Sequence, residues 1–542
     1  MDGSRVTEQE WDAVVVGTGM GGATLGHALS CAGWRVLFVE MGRSSLQDAP
    51  ALRGGYVEMA SRERPPGGAE LAAAGRFPEA IRDLSAPRER AFIPFIGSGT
   101  GGSSALYGMV LERFFPADFE PARCHPGVEG STLPERWPIS YQDLVPYYEA
   151  AERLYGVRGV GDGLRPDSRY GYVAPPPALS PSAEALASRL REKGLHPYPL
   201  PLACAQVAGC SGCQGYLCPK ACKVDSASAC LTPALALGAQ LVDECRVVQV
   251  VADRKRVTEL VCRRKGELLR LRGRTVVLAA GALATPSLLL GSRSELWPEG
   301  VANGSGHVGH HLMRHFIDLY AVFAGRRAGQ GGNAKEIGCN DLYMTPHGKF
   351  GALQSFGDLP PAAMIVEDLQ RDLRDTVHPL AAQAFRVVKP LLRPVMDGMF
   401  ARATILASVM EDLPTRDNRV LSPDSGGAIS IRYRVSPAEA RRIAALRKRI
   451  GTLLKPLPYL LIKQAENNQR IAHACGTCRF GDDPASSVLD RNNRAHELEN
   501  LYVVDASFFP SSAGTNPALT IAANALRVAD VLTGRIVAGG AT

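Results

Sequence analysis

The chain contains 542 residues, a length that predicts two large domains or about three smaller ones. Hydrophobic residues make up 45% and charged residues 21% of the sequence, which excludes a mainly disordered protein. The formal net charge of +7 is small for this length, so we expect no nucleic-acid partner. Apolar runs fall short of the ~18 residues of a membrane span, and no basic segment followed by an apolar one opens the chain. We therefore predict a cytoplasmic protein with no membrane span.

The first predicted elements form a nucleotide-binding unit. The apolar segment 11–16 predicts a buried strand, a helical pattern follows, and a second predicted strand at 34–39 ends in Glu40. Three glycines stand between the first strand and the helix: Gly17, Gly19 and Gly22. Glycines at this spacing allow a tight turn and a close approach to a pyrophosphate, and an acid after the second strand accepts hydrogen bonds from a ribose. The pattern predicts an α/β, Rossmann-like dinucleotide site and does not separate NAD from FAD.

A second glycine-rich run covers residues 97–104 and follows the apolar segment 91–96. No acid-terminated strand follows at the right distance. Its glycines therefore predict either another phosphate turn or a loop where two backbones approach closely.

The cysteines are unevenly distributed. Six of the thirteen lie between residues 204 and 230, and a cytoplasmic protein is not expected to use them as a disulfide framework. Within this region Cys210, Cys213, Cys218 and Cys222 are spaced tightly enough for an iron–sulfur cluster or zinc. We favour a loop that binds no metal, with an iron–sulfur cluster and then zinc as the alternatives.

The C-terminal region contains the most distinctive motif, His473-Ala-Cys-Gly-Thr-Cys-Arg-Phe-Gly481, followed by a segment that includes VVDAS and GTNPALT. These residues resemble the signature of the glucose-methanol-choline (GMC) oxidoreductases, FAD enzymes that oxidise alcohols. Four further segments resemble the same family in the same order: 101–119, 137–159, 276–292 and 308–315.

The resemblance implies the GMC fold, with a discontinuous FAD domain and a substrate domain built on an antiparallel sheet with helices. The expected FAD domain comprises residues 1–160, 225–315 and 468–542, the substrate domain 316–467, and a cysteine-rich segment, 161–224, connects them. It also implies cofactor contacts from Gly101, Gly102, Ser103, Val247, Asp505 and Asn516. We expect non-covalent FAD, because no histidine is placed for covalent attachment. The family usually has asparagine in the segment where this chain has Tyr107, which leaves the contacts there open.

The resemblance places His473 and Asn516 in the active site. Alcohol oxidation removes a hydroxyl proton and a hydride, and imidazole is the natural base near neutral pH. Asn516 can hold the substrate oxygen as charge develops. By resemblance to certain sugar dehydrogenase subunits, Cys213, Cys218 and Cys222 are candidate ligands of a three-iron cluster, with Cys210 as a fourth.

The whole chain is similar to the family members of aminoglycoside biosynthesis that oxidise the 6'-hydroxymethyl group of paromamine to an aldehyde. The implied substrate is a cationic amino sugar, and the acid pairs Glu367–Asp368 and Glu411–Asp412 are candidates to attract it. The electron acceptor is O2 or another carrier. A sterol or long-chain alcohol oxidase, and a non-redox FAD lyase on the same fold, remain alternative hypotheses.

Overall fold

The computed structural model describes residues 7, 9–46, 49–60, 65–167, 169–210, 212–324, 335–346, 348–367, 370, 379–424 and 427–535. The strands are β1 (Glu10–Val16), β2 (Val36–Val39), β3 (Ile81–Asp83), β4 (Arg90–Phe92), β5 (Tyr198–Pro199), β6 (Gln240–Val242), β7 (Cys245–Ala252), β8 (Val257–Arg264), β9 (Glu267–Leu278), β10 (Phe316–Val322), β11 (Ile337–Cys339), β12 (Met344–Thr345), β13 (Gly348–Lys349), β14 (Gly351–Ser355), β15 (Thr404–Met410), β16 (Arg419–Leu421), β17 (Ser430–Arg432), β18 (Tyr459–Ile462) and β19 (Leu501–Val503).

The α-helices are α1 (Met20–Cys31), α2 (Val57–Ala60), α3 (Gly68–Ala73), α4 (Pro121–Cys124), α5 (Tyr141–Leu154), α6 (Pro181–Glu192), α7 (Thr232–Ala236), α8 (Ala284–Gly291), α9 (Pro379–Phe400), α10 (Pro437–Leu454) and α11 (Ala518–Leu532). Within the described ranges, none of them combines the length and the apolar character needed to cross a bilayer.

The first sheet has the strand order β6-β2-β1-β9-β8-β7, and β19 also pairs with β9. Strands β6, β2, β1, β9 and β19 run parallel, whereas β7 and β8 extend the sheet as antiparallel strands. Strand β1 is almost continuously apolar, as expected of a strand buried on both faces, and α1 and α11 pack against each other beside it. Because Val16 stands opposite Val39, β1 and β2 end side by side, and this edge is where nucleotides bind in such sheets.

The second sheet is antiparallel, with the order β18-β10-β15-β14-β11-β5. Helix α10 covers it, and its N-terminus is capped by Ser436, whose Oγ accepts a hydrogen bond from Glu439 N at 3.1 Å. The apolar face of α10, with Ile443, Leu446 and Ile450, is buried in the core that this sheet shares with α6. The two sheets confirm the predicted fold class.

Strand β5, with the Tyr198–Pro199 pair, comes from the segment that we expected only to connect the two domains. It pairs with β11 and so belongs to the second sheet. Two smaller sheets complete the fold: β12 pairs with β13, and β16, β17, β3 and β4 form the other. The latter joins residues of the N-terminal region to residues 419–432. The exact domain boundaries stay a prediction.

Candidate active site

The first glycine turn has the geometry that its spacing predicts. Gly17 has φ +98°, and a Cβ there would lie 2.4 Å from the carbonyl oxygen of Ala279. A Cβ at Gly22 would lie 2.2 Å from Gly17 O, so both positions require glycine. In contrast, a Cβ at Gly19 would meet nothing within 4 Å, and no side chain caps the N-terminus of α1. The open space therefore lies in front of unpaired helix N–H groups, which suits a phosphate.

Glu40 connects the two glycine runs. Its Oε2 accepts hydrogen bonds from Thr18 N at 3.1 Å and Thr18 Oγ1 at 2.8 Å, and its Oε1 accepts from Gly42 N at 3.0 Å and Gly99 N at 3.1 Å. Burial raises the pKa of Glu40, whereas these donors lower it. In this structure the carboxylate holds the loops together, and its predicted contact with a ribose stays a prediction.

The second glycine run packs against the first. Gly101 has φ +89°, and a Cβ at Gly102 would lie 3.1 Å from the Cα of Gly19. Gly97 N donates to Ser103 Oγ at 3.0 Å, which closes the run into a tight loop. Gly101, Gly102 and Ser103 therefore stand beside the open space at Gly19, where their predicted role as cofactor contacts requires them.

Asp505 lies at the other side of the same sheet edge. Its Oδ2 accepts hydrogen bonds from Gly281 N at 2.9 Å and Thr285 Oγ1 at 2.5 Å, and its Oδ1 accepts from Ser507 N at 2.9 Å. Burial raises its pKa. The side chain thus joins the turn after β9 to the C-terminal segment, and its predicted flavin contact stays a prediction.

Val247 lies on β7, opposite Cys262 of β8. This strand begins next to the end of β2, because Cys245 N donates to Glu40 O at 2.9 Å. The half-buried Val247 is thus two residues from the acid-terminated edge. The predicted backbone contact of Val247 to adenine is possible at this position and stays a prediction. Together, the open glycine cradle, the free helix N-terminus and the surrounding loops fit a dinucleotide cofactor.

His473 forms a hydrogen bond with a second histidine that the sequence analysis did not assign to the site. The Nδ1 atoms of His473 and His315 are 2.8 Å apart, with the rings nearly perpendicular. His315 Nε2 lies 3.0 Å from Ser512 O and 3.1 Å from Ala513 O. Because carbonyls only accept, His315 Nε2 carries the hydrogen and its Nδ1 accepts. The hydrogen between the rings therefore belongs to His473 Nδ1, which leaves Nε2 of His473 as a base.

Both imidazoles are neutral near pH 7. Burial lowers the pKa of His315 to about 4. Burial also lowers the pKa of His473 well below its usual range, and the neighbouring His315 and Lys335 lower it further. The backbone of His473 adopts φ +56°, a conformation that is unfavourable for residues other than glycine. Such positions occur where the surroundings fix a functional side chain.

Asn516 follows the carbonyls that hold His315 along the chain, three residues after Ala513. Its exposed fraction is 9%, and its buried Oδ1 has no hydrogen-bond partner in the described part of the chain. The preceding residue, Thr515, donates to Glu112 Oε2 at 3.0 Å, and Arg165 Nη2 lies 3.3 Å from the other oxygen of Glu112. This buried ion pair fixes the backbone that carries Asn516. An unpaired buried carboxamide oxygen is costly unless a ligand completes it.

Lys335 and Gln214 are two further candidate residues that the sequence analysis missed. A Cβ placed on Gly108 would lie 2.8 Å from Lys335 Nζ and 2.7 Å from Gln214 Oε1, so both side chains converge on this glycine. Burial lowers the pKa of Lys335 to about 8. Lys335 precedes β11 and acts on His473 through its charge, although 138 positions separate them in the sequence. No local pattern marks such a residue.

Tyr107 is part of the protein core. Its hydroxyl donates to Val224 O, and its ring packs between the main core and the cluster that includes Met109 and Cys204. The asparagine that the family usually has in this segment is thus replaced by a side chain with a structural contact.

The acid pair Glu411–Asp412 is not available to a substrate, so the prediction that it attracts a cation is wrong. Both residues are buried, at 0% and 1% exposure. Lys349 Nζ lies 2.7 Å from Glu411 Oε2, and Tyr433 donates to Asp412 Oδ2 at 2.6 Å. Tertiary contacts pair these acids within the core, which a count of surface charges cannot anticipate. Asp368, of the other predicted pair, lies outside the described residues.

The cysteine loop brings together a set that differs from the predicted one. The thiols of Cys204, Cys210 and Cys222 all lie within 4.8 Å of one another, and Cys218 is next to Cys222. Cys213 is buried outside that group. Sequence spacing favoured Cys213 because it lies near the others in the chain, whereas Cys204 reaches them through a backbone pairing with residue 223.

An α/β sheet with an open glycine cradle, next to an antiparallel sheet and a hydrogen-bonded pair of imidazoles, is the arrangement expected of a cofactor-dependent oxidoreductase. The family described as GMC oxidoreductase matches residues 11–317 with its N-terminal part and 414–525 with its C-terminal part. The chain therefore belongs to the GMC oxidoreductases, which are FAD-binding flavoproteins, and it is an enzyme that acts on alcohols.

Two curated relatives match almost the whole chain. The 6'''-hydroxyparomomycin C oxidase of Streptomyces lividus is 30% identical, and the match covers 98% of this chain and 93% of that protein. The paromamine 6'-oxidase of Streptomyces fradiae is 31% identical with the same coverage. Among solved structures, pyridoxine 4-oxidase from Mesorbium loti matches with a TM-score of 0.61 and 20% identity, over 96% of this chain and 98% of the other. This last similarity supports the fold alone.

Proposed function

We propose that this enzyme oxidises a primary alcohol to an aldehyde, and that its substrate is the 6'-hydroxymethyl group of an aminoglycoside precursor such as paromamine. The observation that carries the alcohol chemistry is the His473–His315 pair. It presents a neutral imidazole with a defined free nitrogen, and the same C-terminal segment that holds His315 carries the carboxamide of Asn516, whose oxygen is buried without a partner among the described residues and whose N–H groups can donate. A base and a polar group that holds the reacting oxygen are the two protein functions that alcohol oxidation requires.

The residues of the two glycine runs and the N-terminus of α1 would hold FAD, with the pyrophosphate at Gly19. When bound, FAD supplies the acceptor for the hydride that leaves the alcohol carbon. His473 accepts the hydroxyl proton at Nε2, while its Nδ1–H stays bound to His315. Asn516 donates from its carboxamide to the substrate oxygen, which gains negative charge as the proton leaves. The buried position of His315 keeps water from competing for the hydrogen at Nδ1.

The substrate class rests on the relatives. Two proteins whose names describe aminoglycoside oxidation match 98% of the chain at about 30% identity. Lys335 acts on the imidazole of His473 through its charge, and Gln214 lies with Lys335 against Gly108, which does not agree with the uncharged apolar pocket expected of a sterol oxidase. Because Lys335 titrates with a pKa of about 8, its amine becomes neutral in mildly alkaline solution and then repels a cationic substrate less.

The experiment is an anaerobic titration of the FAD-loaded protein with paromamine, in which the absorption bands of oxidised flavin are recorded. We expect the bands to disappear, and a His473→Ala variant to lose them about 100- to 10,000-fold more slowly, the usual contribution of a general base. His196→Gln is the matched control, since this exposed histidine pairs with Asp341 and has no contact with the site. Admission of air then tests whether O2 reoxidises the flavin.

Two results would contradict the proposal. If paromamine leaves the flavin oxidised while sterols or long-chain alcohols reduce it, the substrate class is wrong and the alcohol chemistry stands. If no alcohol reduces the flavin, the enzyme is not an alcohol oxidoreductase, and a non-redox lyase becomes the better hypothesis.

A further inference from the structure

Four thiols of the cysteine loop form a connected group. The Sγ atom of Cys210 lies 3.2 Å from that of Cys222 and 3.6 Å from that of Cys204, and Cys218 Sγ lies 3.4 Å from Cys222 Sγ. Three of them, those of Cys204, Cys210 and Cys222, are mutually within 4.8 Å. Cys204 and Cys222 have exposed fractions of only 2% and 1%. The group is therefore a compact set of sulfurs in the interior.

The backbone around these thiols is also organised. Ala205 N donates to Cys222 O at 2.8 Å and Val224 N donates to Ala203 O at 3.0 Å, which pairs the segment at Cys204 with the segment at Cys222. Cys210 returns to the group through a turn in which its N–H donates to Val207 O at 3.0 Å. The sulfurs are thus brought together by hydrogen-bonded turns and a short pairing of two chain segments.

Backbone N–H groups are directed at the sulfurs. Gln206 N hydrogen-bonds Cys204 Sγ, and the N–H groups of residues 220, 222 and 223 hydrogen-bond Cys218 Sγ. Outer contacts of this kind orient metal ligands. Apolar side chains, among them Met109 and Leu202, pack around the group.

The distances favour one ion over a cluster. With a zinc–sulfur bond of about 2.3 Å, a tetrahedral site separates its sulfurs by about 3.8 Å. The three sulfur separations of 3.2, 3.4 and 3.6 Å are close to this value. In a three-iron cluster each thiolate binds a different iron, which holds the cysteine sulfurs farther apart. The cysteines of this chain therefore do not fit the cluster that the sequence suggested.

We propose that Cys204, Cys210 and Cys222 bind a single Zn²⁺ ion together with Cys218, which lies 3.4 Å from Cys222 and turns toward the other two thiols when the ion binds, and that Cys213 is outside the site. All four ligands bind as thiolates, so binding releases their protons to solvent and involves no electron transfer.

The loop is connected to the glycine run of the candidate active site. Lys223, next to Cys222, is buried, and its Nζ donates to Ala105 O and Tyr216 O at 3.0 Å each. Tyr107 also reaches this loop through Val224 O. A zinc ion here fixes the segment that follows Gly101–Ser103. Because Zn²⁺ has no redox chemistry, electrons from the flavin do not leave through this site.

The test begins with metal analysis of the full-length wild-type protein, purified without chelators, by mass spectrometry. We expect about one zinc per chain, no acid-labile sulfide, and thirteen reactive thiols after denaturation without reductant. Growth with Co²⁺ in place of Zn²⁺ should give the absorption of a tetrahedral cobalt thiolate. This second measurement uses the wild-type chain, so it does not depend on whether a variant folds.

The variants separate the two ligand sets. Cys204→Ser and Cys218→Ser should each lose most of the zinc, whereas Cys213→Ser should keep it. The proposal is refuted if Cys213→Ser loses the metal while Cys204→Ser keeps it. It is also refuted if the wild-type protein contains iron, contains no metal, or shows fewer than thirteen thiols because a disulfide has formed. None of these measurements depends on the proposed substrate.

Discussion

Replacement of His315 tests whether the second imidazole fixes the chemical state of the first. In a His315→Leu variant, His473 loses the acceptor at 2.8 Å from its Nδ1, and the carbonyls of Ser512 and Ala513 lose their donor. A lost hydrogen bond with buried groups left unpaired costs about 1–3 kcal/mol. If that cost appears in the transition state, kcat/KM falls about 5- to 150-fold. His473 can then also carry its hydrogen on Nε2, and in that tautomer Nε2 cannot act as a base.

The informative comparison is His315→Gln. Glutamine can donate from Nε2 to the two carbonyls and accept at Oε1 from His473 Nδ1, so it keeps the same direction of hydrogen bonding. We expect it to recover most of the kcat/KM that the leucine variant loses. The rate of anaerobic flavin reduction, the FAD content and the free energy of unfolding should be measured for both. If the two variants are equally impaired, or if a loss of FAD accounts for the whole effect, the positioning role of His315 is refuted.

Three other substitutions test neighbouring features. Lys335→Met removes a positive charge that lowers the pKa of His473, so, if His473 is the base, the acid limb of the kcat/KM profile should move to higher pH, whereas Lys335→Arg should leave it in place. Glu40→Gln places a donor against backbone N–H groups and should weaken FAD retention about 10- to 100-fold, measured by fluorescence of released flavin, while exposed Glu10→Gln should not. Lys349→Met removes the buried cation shared by the carboxylates of Asp118 and Glu411 and should lower the free energy of unfolding by about 3–5 kcal/mol, measured by chemical denaturation. Lys349 and His125 lower the pKa of Glu411 against the effect of burial, so its stabilising contribution is present above its ordinary value of 4.5 and is lost in acid. The difference between wild type and the Lys349→Met variant should therefore shrink as the pH falls below that value.

Local patterns predicted the elements that local physics determines. The strand–glycine–helix unit, the acid at the end of β2 and the capped helix α10 all follow from short-range spacing, and the structure contains each of them. The cysteine loop shows the limit of such reasoning. Spacing predicted that the thiols of this loop lie close together, but Cys204 joins the group only because its segment pairs with residue 223, a contact that no spacing rule contains.

The candidate active site shows the same limit, here for the protonation state of His473. The C-terminal motif identified His473, yet its protonation state depends on residues from distant parts of the chain. His315 lies immediately before β10, Lys335 shortly before β11, and the carbonyls that orient His315 come from the segment before Asn516. The sheet that carries β10 and β11 brings these groups to the loop of His473. The motif can therefore indicate the histidine proposed as the base, but only the tertiary structure determines which of its ring nitrogens is free. The two His315 variants test that step directly, because they differ in hydrogen bonding at a site that both fill.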